Sequence, residues 1–350
     1  MEDGPQPPSE LGIPITFAGA MLEEQTVTRA YSLHEAGVSS FRLFAYKDDG
    51  YDSEAGMYTS YQTVMDGYRV NWIDGSAATT TTNTDNWEYV AQGGGVKMQT
   101  VKFWDYAALA YRFAAYAPAT SDDVTSEVTG ASVAERVLEL RLKANADDVA
   151  NTPYFSELWF STGSTVDYPE RLFGRPVQLR FVKPFSRVRF LFTFQEADAH
   201  FDRSDLSDPR FRPADGSTIA RKGTFTVRYP LAGIATATEA QWAMTPVTGG
   251  EAVAPAVLDY LSEDWQTGGQ ETWYTVLPCQ TQGDYELTVN VGTDNRTAYV
   301  PAGLMRWVAG YDYTYVFKIT EAGGVQFDLM QLGLRNWNDT EDMSHEIYNW

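Results

Sequence analysis

Three histidines, His34, His200 and His345, are the first residues in this chain with chemistry to offer. Two of them open His-Glu pairs. Neither "HEAGV" nor "HEIYN" has a second histidine four residues on, so the helix face that would bind zinc through two imidazoles is missing. No Gly-x-Ser-x-Gly elbow, Gly-x-Gly-x-x-Gly fingerprint or phosphate-cradling loop occurs. Residue order alone is compatible with a serine–histidine–aspartate triad, but no local pattern builds one, and each histidine reads as a loop residue. Carboxylates are abundant enough for a glycosidase pair, yet no spacing singles one out. Asp48-Asp49-Gly50-Tyr51-Asp52-Ser53-Glu54 resembles a calcium loop superficially. It lacks the register and flanking helices of an EF-hand, so a solvated turn is expected. "FDRSDLSDPRFRPADG", residues 201–216, reads as a loop with paired charges. Cys279 is the single cysteine, which excludes an intrachain disulfide; it is expected to be an inert small hydrophobe. No catalytic residue, cofactor or metal is assigned, and the protein is not expected to be an enzyme.

Composition narrows the partners. The chain has 350 residues, enough for about two domains. Its net charge of −21 repels phosphate backbones, so a nucleic-acid partner is not expected. No run approaches the ~18 apolar residues of a membrane span. The start, "MEDGPQPPSELG", has neither the basic nor the apolar region of a signal peptide and reads as an acidic, proline-rich tether. The expectation is that Met1 was supplied after an export signal had been removed.

The elements that must position these residues are strands. Period two dominates: Leu138, Leu140 and Leu142 alternate with Glu139, Arg141 and Lys143. Val188, Phe190, Phe192 and Phe194 share one face, as do Tyr285, Leu287, Val289 and Val291, and again Tyr311, Tyr313, Tyr315, Phe317 and Ile319. "GIPITFAG", "VSSFRLFAYK", "GYRVNW" and "TFTVRYP" are further strand candidates. Helices are expected only at "APAVLDYLSEDW" and as a turn within "SELWFST". Trp72, Trp87, Trp104, Trp242, Trp273, Trp307 and Trp337 mostly adjoin strand patterns, which favours packing over an exposed glycan platform. Proline, glycine and charge interrupt the pattern at residues 166–176, which places a domain boundary between 1–170 and 171–350.

"DYAALAYRFAAYAP", residues 105–118, looks helical by composition, with six alanines among the thirteen residues from Tyr106 to Pro118. Alternation argues otherwise. Leu109, Tyr111, Phe113 and Ala115 make one apolar face, with Arg112, Ala114 and Tyr116 opposite, so a strand ending at Pro118 is expected.

Three blocks together resemble the fimbrillin family, the type V pilus subunits and pilus-associated lipoproteins of the Bacteroidetes. The first runs through Trp87, Tyr89, Trp104, Tyr111, Phe113, Ala115, Tyr116 and Pro118. The second runs through Phe181, Ser186, Arg187, Val188 and Phe190, with Lys183 where the family often has histidine. The third is the closing "GYDYTYVFKIT…GGVQFDLMQLGLRNWND". The blocks fit in order across roughly residues 11–340. The resemblance implies an all-β chain of two tandem β-sandwich domains with Greek-key, transthyretin-like topology and few short helices.

The resemblance also implies a function: export as a lipoprotein, cleavage after an arginine in the N-terminal domain, and polymerisation at the cell surface by donor-strand exchange. Losing the first strand opens an apolar groove, which another subunit's extended segment fills. Here Ile13, Ile15 and Phe17 would form the displaced first strand, and Arg29–Ala30 in the following polar linker would be the processing site. Arg42 lies inside a strand pattern and is not expected to be cut. No lipid-accepting cysteine stands near the start; either it was trimmed away or the protein is not lipidated. The tail after Trp337 holds Met343, Ile347, Tyr348 and Trp350, with poor alternation for a donor strand. The partners expected are other pilin subunits or pilus accessory proteins and host or bacterial surface ligands, with an outer-membrane anchor outside this chain. The alternatives are a glycan-binding surface lipoprotein and, less favoured, a jelly-roll glycoside hydrolase.

Overall fold

A computed structural model describes residues 12–21, 33–73, 86–91, 99–162, 172–194, 201, 203–234, 240–248, 250–254, 272–280, 283–320 and 322–333. The fold is all-β, arranged as β-sandwich layers, as the alternation predicts. Helical structure among these residues is limited to three single 3-10 turns, at Val133–Glu135, Arg203–Asp205 and Ala302–Leu304. The chain forms two compact units, each assembled from separated stretches. One comprises Met1–Arg141, Pro153–Val182 and Val227–Trp242, the other Leu142–Thr152, Lys183–Thr226 and Ala243–Trp350.

In the first unit a nine-stranded sheet runs Gly233–Ile234, Met57–Trp72, Ser40–Asp52, Ala110–Ala117, Tyr154–Ser156, Val177–Val182, Phe17–Met21 and Trp87–Glu88, with Trp159–Thr162 also on Ala110–Ala117. Trp87–Glu88 pairs with Met57–Trp72 as well, so the run of pairings returns on itself. Ala110–Ala117 is a central strand, antiparallel to Ser40–Asp52 on one side and to Tyr154–Ser156 and Trp159–Thr162 on the other. All eight of its residues are buried. Both faces are covered, which is why small alanines stand where a half-exposed strand would carry polar residues. Leu109 is 38% exposed and precedes the strand, so the apolar face begins at Tyr111 and not at Leu109. The preceding residues form a turn closed by the Ala108 N–H on the Asp105 carbonyl.

In the second unit a four-stranded sheet, Tyr274–Val276, Ser186–Phe194, Asp312–Ile319 and Val325–Gly333, packs over a three-stranded one, Leu206–Pro213, Tyr285–Val291 and Asp294–Val300. Val188, Phe190, Phe192, Tyr313, Tyr315 and Phe317 meet Phe211, Leu287, Val289 and Val300 in a continuous core.

Four local expectations are corrected. Residues 156–162 form no helical turn: Tyr154–Ser156 and Trp159–Thr162 are strands on Ala110–Ala117. Asp48 and Asp49 belong to a strand, and the turn is confined to the tip, where Asp52 Oδ1 accepts the N–H groups of Glu54 and Ala55. Within 201–216, Leu206–Pro213 is a strand paired with Tyr285–Val291, its Arg212 on Glu286 at 2.8 Å. Glu139 is buried and paired with Arg228, so that side of its strand is not a free polar face. The helix expected in "APAVLDYLSEDW" lies, but for Ala254, outside the described residues.

Candidate functional site

The candidate site is the first strand and the core that receives it, and proline explains its entry. Pro14 has no N–H to satisfy and forms only an isolated bridge with Phe103. On either side of it the backbone is used: the Ile15 N–H donates to the Lys102 carbonyl at 2.8 Å, and the Trp104 N–H donates to the Ile13 carbonyl at 2.9 Å. On the opposite side the Val177 N–H donates to the Thr16 carbonyl at 2.8 Å. Phe17–Met21 then runs parallel to Val177–Val182, pairing Phe17 with Val177, and meets Trp87 antiparallel at Phe17. The strand is held on both edges.

Of the three expected strand residues, Ile15 and Phe17 are fully buried in the core of this unit, while Ile13 is 50% exposed. The Phe17 ring meets Phe41, Tyr89 and Phe113 edge-on at 6.0, 5.9 and 6.2 Å. Trp87, Tyr89, Trp104, Tyr111, Phe113 and Ala115, which carry the family resemblance, all belong to the core that receives this strand. The Tyr89 hydroxyl donates to the Ile15 carbonyl at 3.1 Å and accepts the Lys102 N–H at 3.0 Å. Burial pushes the Tyr89 hydroxyl up to about 12, partly offset by the backbone bond with Lys102, so it keeps its proton at ordinary pH.

Gln99 was not legible as part of this site. Its amide donates to the carbonyls of Arg69 (2.7 Å) and Tyr89 (2.6 Å), and its oxygen accepts the Arg69 N–H at 2.7 Å. A buried glutamine with these bonds fixes the Tyr89 segment against Met57–Trp72, and no sequence pattern announces it. Gly174, at φ +82°, stands against Tyr106 and Ile13 at the strand's exposed end. Arg29–Ala30 lie outside the described residues. Arg42 lies in Ser40–Asp52 with its guanidinium on the carbonyls of Ala119 and Gly67 at 3.2 and 3.0 Å.

The titratable groups are placed for packing. His34 stacks on Trp72 at 4.1 Å and 9°, while His200 and His345 lie outside the described residues. Trp87, Trp104 and Trp307 are buried, Trp72, Trp242 and Trp273 half-buried, and Trp337 lies outside the description. Burial pushes Asp48 upward and Arg112 downward, against the attraction between them, which holds both in their charged forms. The Cys279 thiol donates to the Met305 carbonyl at 3.0 Å, and burial pushes it up to about 12, far from the reactive thiolate range. Among the described residues no group of three or more His, Cys, Asp or Glu side chains could hold a metal ion, and no helix is long and apolar enough to cross a membrane.

Comparison with known proteins gives one family. A model of the fimbrillin-like family matches residues 40–341. No curated protein matched. Among solved structures, a fimbrial protein from Bacteroides vulgatus aligns at 13% identity and a TM-score of 0.43, covering 93% of this chain and 99% of its own. A candidate cell-adhesion protein from Bacteroides uniformis aligns at 13% identity and 0.41, covering 95% and 100%. A fimbrial assembly protein from Parabacteroides distasonis aligns at 10% and 0.33, covering 87% and 90%. At these identities and scores the family statement rests on the sequence match, which spans most of the chain, through both units and the three aromatic blocks: the chain belongs to the fimbrillin-like family.

Proposed function

We propose that the protein is a non-enzymatic cell-surface component, a pilus subunit or accessory adhesin, that assembles by donor-strand exchange. Cleavage after Arg29 frees the segment carrying Ile13, Ile15 and Phe17, and an extended segment of a partner subunit takes its place. The observation that carries this reading is the way the first strand is held. Ile15 and Phe17 fill core volume, yet the strand meets the sheet through a single parallel ladder, a one-residue bridge and a few backbone bonds. Parallel pairing is the less stable kind per residue, and the ladder shifts register between Ala18 and Met21. A segment that supplies apolar side chains through few backbone bonds is replaceable by another extended segment. Family membership agrees with a place at the cell surface among other pilus components.

The test is direct. The folded protein is incubated with an arginine-specific protease, and the new N-terminus is sequenced. A new terminus at Ala30, followed by subunit ladders on a denaturant-free gel, is expected. Resistance of Arg29 in the folded protein rules out this processing site, and a cut chain that keeps its first strand under all native conditions rules out exchange.

A further inference from the structure

We propose that the seat of Phe17 is a specificity pocket: a segment entering this groove must present an aromatic ring there, two residues after an aliphatic side chain in the seat of Ile15. This rests on the strand-exchange reading above and names the chemistry of the partner segment. The pocket's walls are the rings of Phe41, Tyr89 and Phe113, each edge-on to Phe17 within 5.9–6.2 Å. The walls are themselves backed by rings. Phe41 packs on Trp87 and Phe181 at 5.1 and 5.5 Å, and Phe113 on Trp104 and Trp159 at 5.9 and 5.1 Å. Rings supported in this way do not collapse into a vacated site, so a small side chain leaves a cavity whose walls lose their contacts. Edge-on approach from three sides also favours an aromatic occupant over an aliphatic one of similar volume.

The seat of Ile15 discriminates as well, and the place of Ile13 does not. Ile15 sits in a closed apolar site whose backbone carbonyl is held by Tyr89. Ile13 is half exposed, and Pro14 and Thr16 are only partly buried. The groove therefore reads two side chains with the spacing aliphatic-x-aromatic and tolerates change at the place of Ile13.

The experiment uses the full chain, nicked between Met21 and Leu33 by the arginine-specific protease or through a protease cleavage sequence substituted for residues 26–31. Labelled peptides of sequence GIPITFAGAM (residues 12–21) and its I13A, I15A and F17A versions are offered in mild urea, and uptake is followed by fluorescence anisotropy. The native and I13A peptides are expected to enter with similar affinity, the I15A peptide at least about 10-fold more weakly and the F17A peptide about 100-fold more weakly; an I15A peptide that enters like the native one overturns the aliphatic part of the reading. A peptide with tryptophan in place of Phe17 is expected to lie closer to the native one than to F17A. Equal uptake of native and F17A peptides overturns the pocket while leaving strand exchange standing. Failure of every peptide, including the native one, overturns strand exchange and the pocket with it.

Discussion

Asp48 and Arg112 form an ion pair across the junction of Ser40–Asp52 and Ala110–Ala117 in which each side chain is 1% exposed. Arg112 also donates to the Leu231 carbonyl at 3.2 Å and lies under the rings of Tyr58 and Phe160 at 5.1 and 4.9 Å. Asp48 Oδ1 and Arg112 Nε and Nη2 have no further protein partner. Both charges have been taken out of water, and what keeps each there is the other. The pair thus ties a long hairpin strand to the central strand and to the chain's return at Leu231.

Removing one partner is therefore far worse than removing both. Asp48→Ala should lower the free energy of unfolding by about 3–5 kcal/mol, because Arg112 is left buried and uncompensated. Asp48→Leu combined with Arg112→Met should be much milder than the sum of the single changes, within about 1–2 kcal/mol of the parent. Urea midpoints of the parent, Asp48→Leu, Arg112→Met and the double variant measure this, with Asp48→Ala as the single loss; additive single and double effects would show that the pair is not coupled.

Tyr89→Phe isolates the clamp on the first strand. The ring still walls the Phe17 seat, but the Ile15 carbonyl loses its donor and the Lys102 N–H its acceptor. A cost of about 1–3 kcal/mol is expected for the unmet buried groups. Hydrogen exchange gives the local signature: the amides of Ile15 and Lys102 should lose protection more than those of Val188 or Leu287 in the second unit. Uniform loss across both units would contradict a local clamp.

The aromatic alternation placed most of the core in advance. Val188, Phe190 and Phe192, and Tyr313, Tyr315 and Phe317, are buried as their period-two spacing requires. Ile15 and Phe17 were equally legible, since two apolar residues two apart in a short extended run have one way to share a face. What could not be read was the second face. Glu139, Arg112, Arg189 and Asp48 look like solvent-facing residues in an alternating strand, and each is buried because another layer covers that side. A single sequence carries no record of which strand will be central. The half-exposure of Ile13 was hidden for a similar reason: the residue its side chain stands against, Gly174, comes from a segment far along the chain. Gln99 is the extreme case, an amide in a glycine-rich stretch whose three bonds exist only in the folded chain.

Gly174 should not accept a side chain. Its φ of +82° disfavours any L-residue, and an added Cβ would stand 2.5 Å from the Tyr106 hydroxyl and 3.6 Å from Ile13 Cδ1. Gly174→Ala is expected to cost about 1–2 kcal/mol of stability and to loosen the entry of the first strand. Tyr106→Ala removes the steric part alone, so the double variant should recover some but not all of the loss. Full recovery would mean that the backbone conformation contributes nothing, and no recovery that Tyr106 is not the obstacle.

Lys183 gives the pH-dependent prediction. It stands at the family's frequent histidine position, buried, with its amine donating to the carbonyls of Val149 (2.9 Å), Ala150 (3.3 Å) and Thr152. Burial pulls it down from 10.5 to about 8, against a smaller upward pull from Asp148. Between those two values the unfolded chain holds a proton that the folded chain has released, so unfolding takes up a proton and stability contributed by this group rises with pH. The Lys183→Met variant lacks that contribution. Urea midpoints at about pH 7.5 and about pH 9.5 should therefore rise more, or fall less, for the parent than for Lys183→Met. The buried tyrosines contribute with the opposite sign as their unfolded phenols begin to ionise near pH 10, but they do so equally in both proteins, so the comparison of parent with variant removes them. If the two proteins change in parallel, the amine keeps its proton on the three carbonyls up to pH 9.5, and charge-assisted bonding outweighs burial at this site.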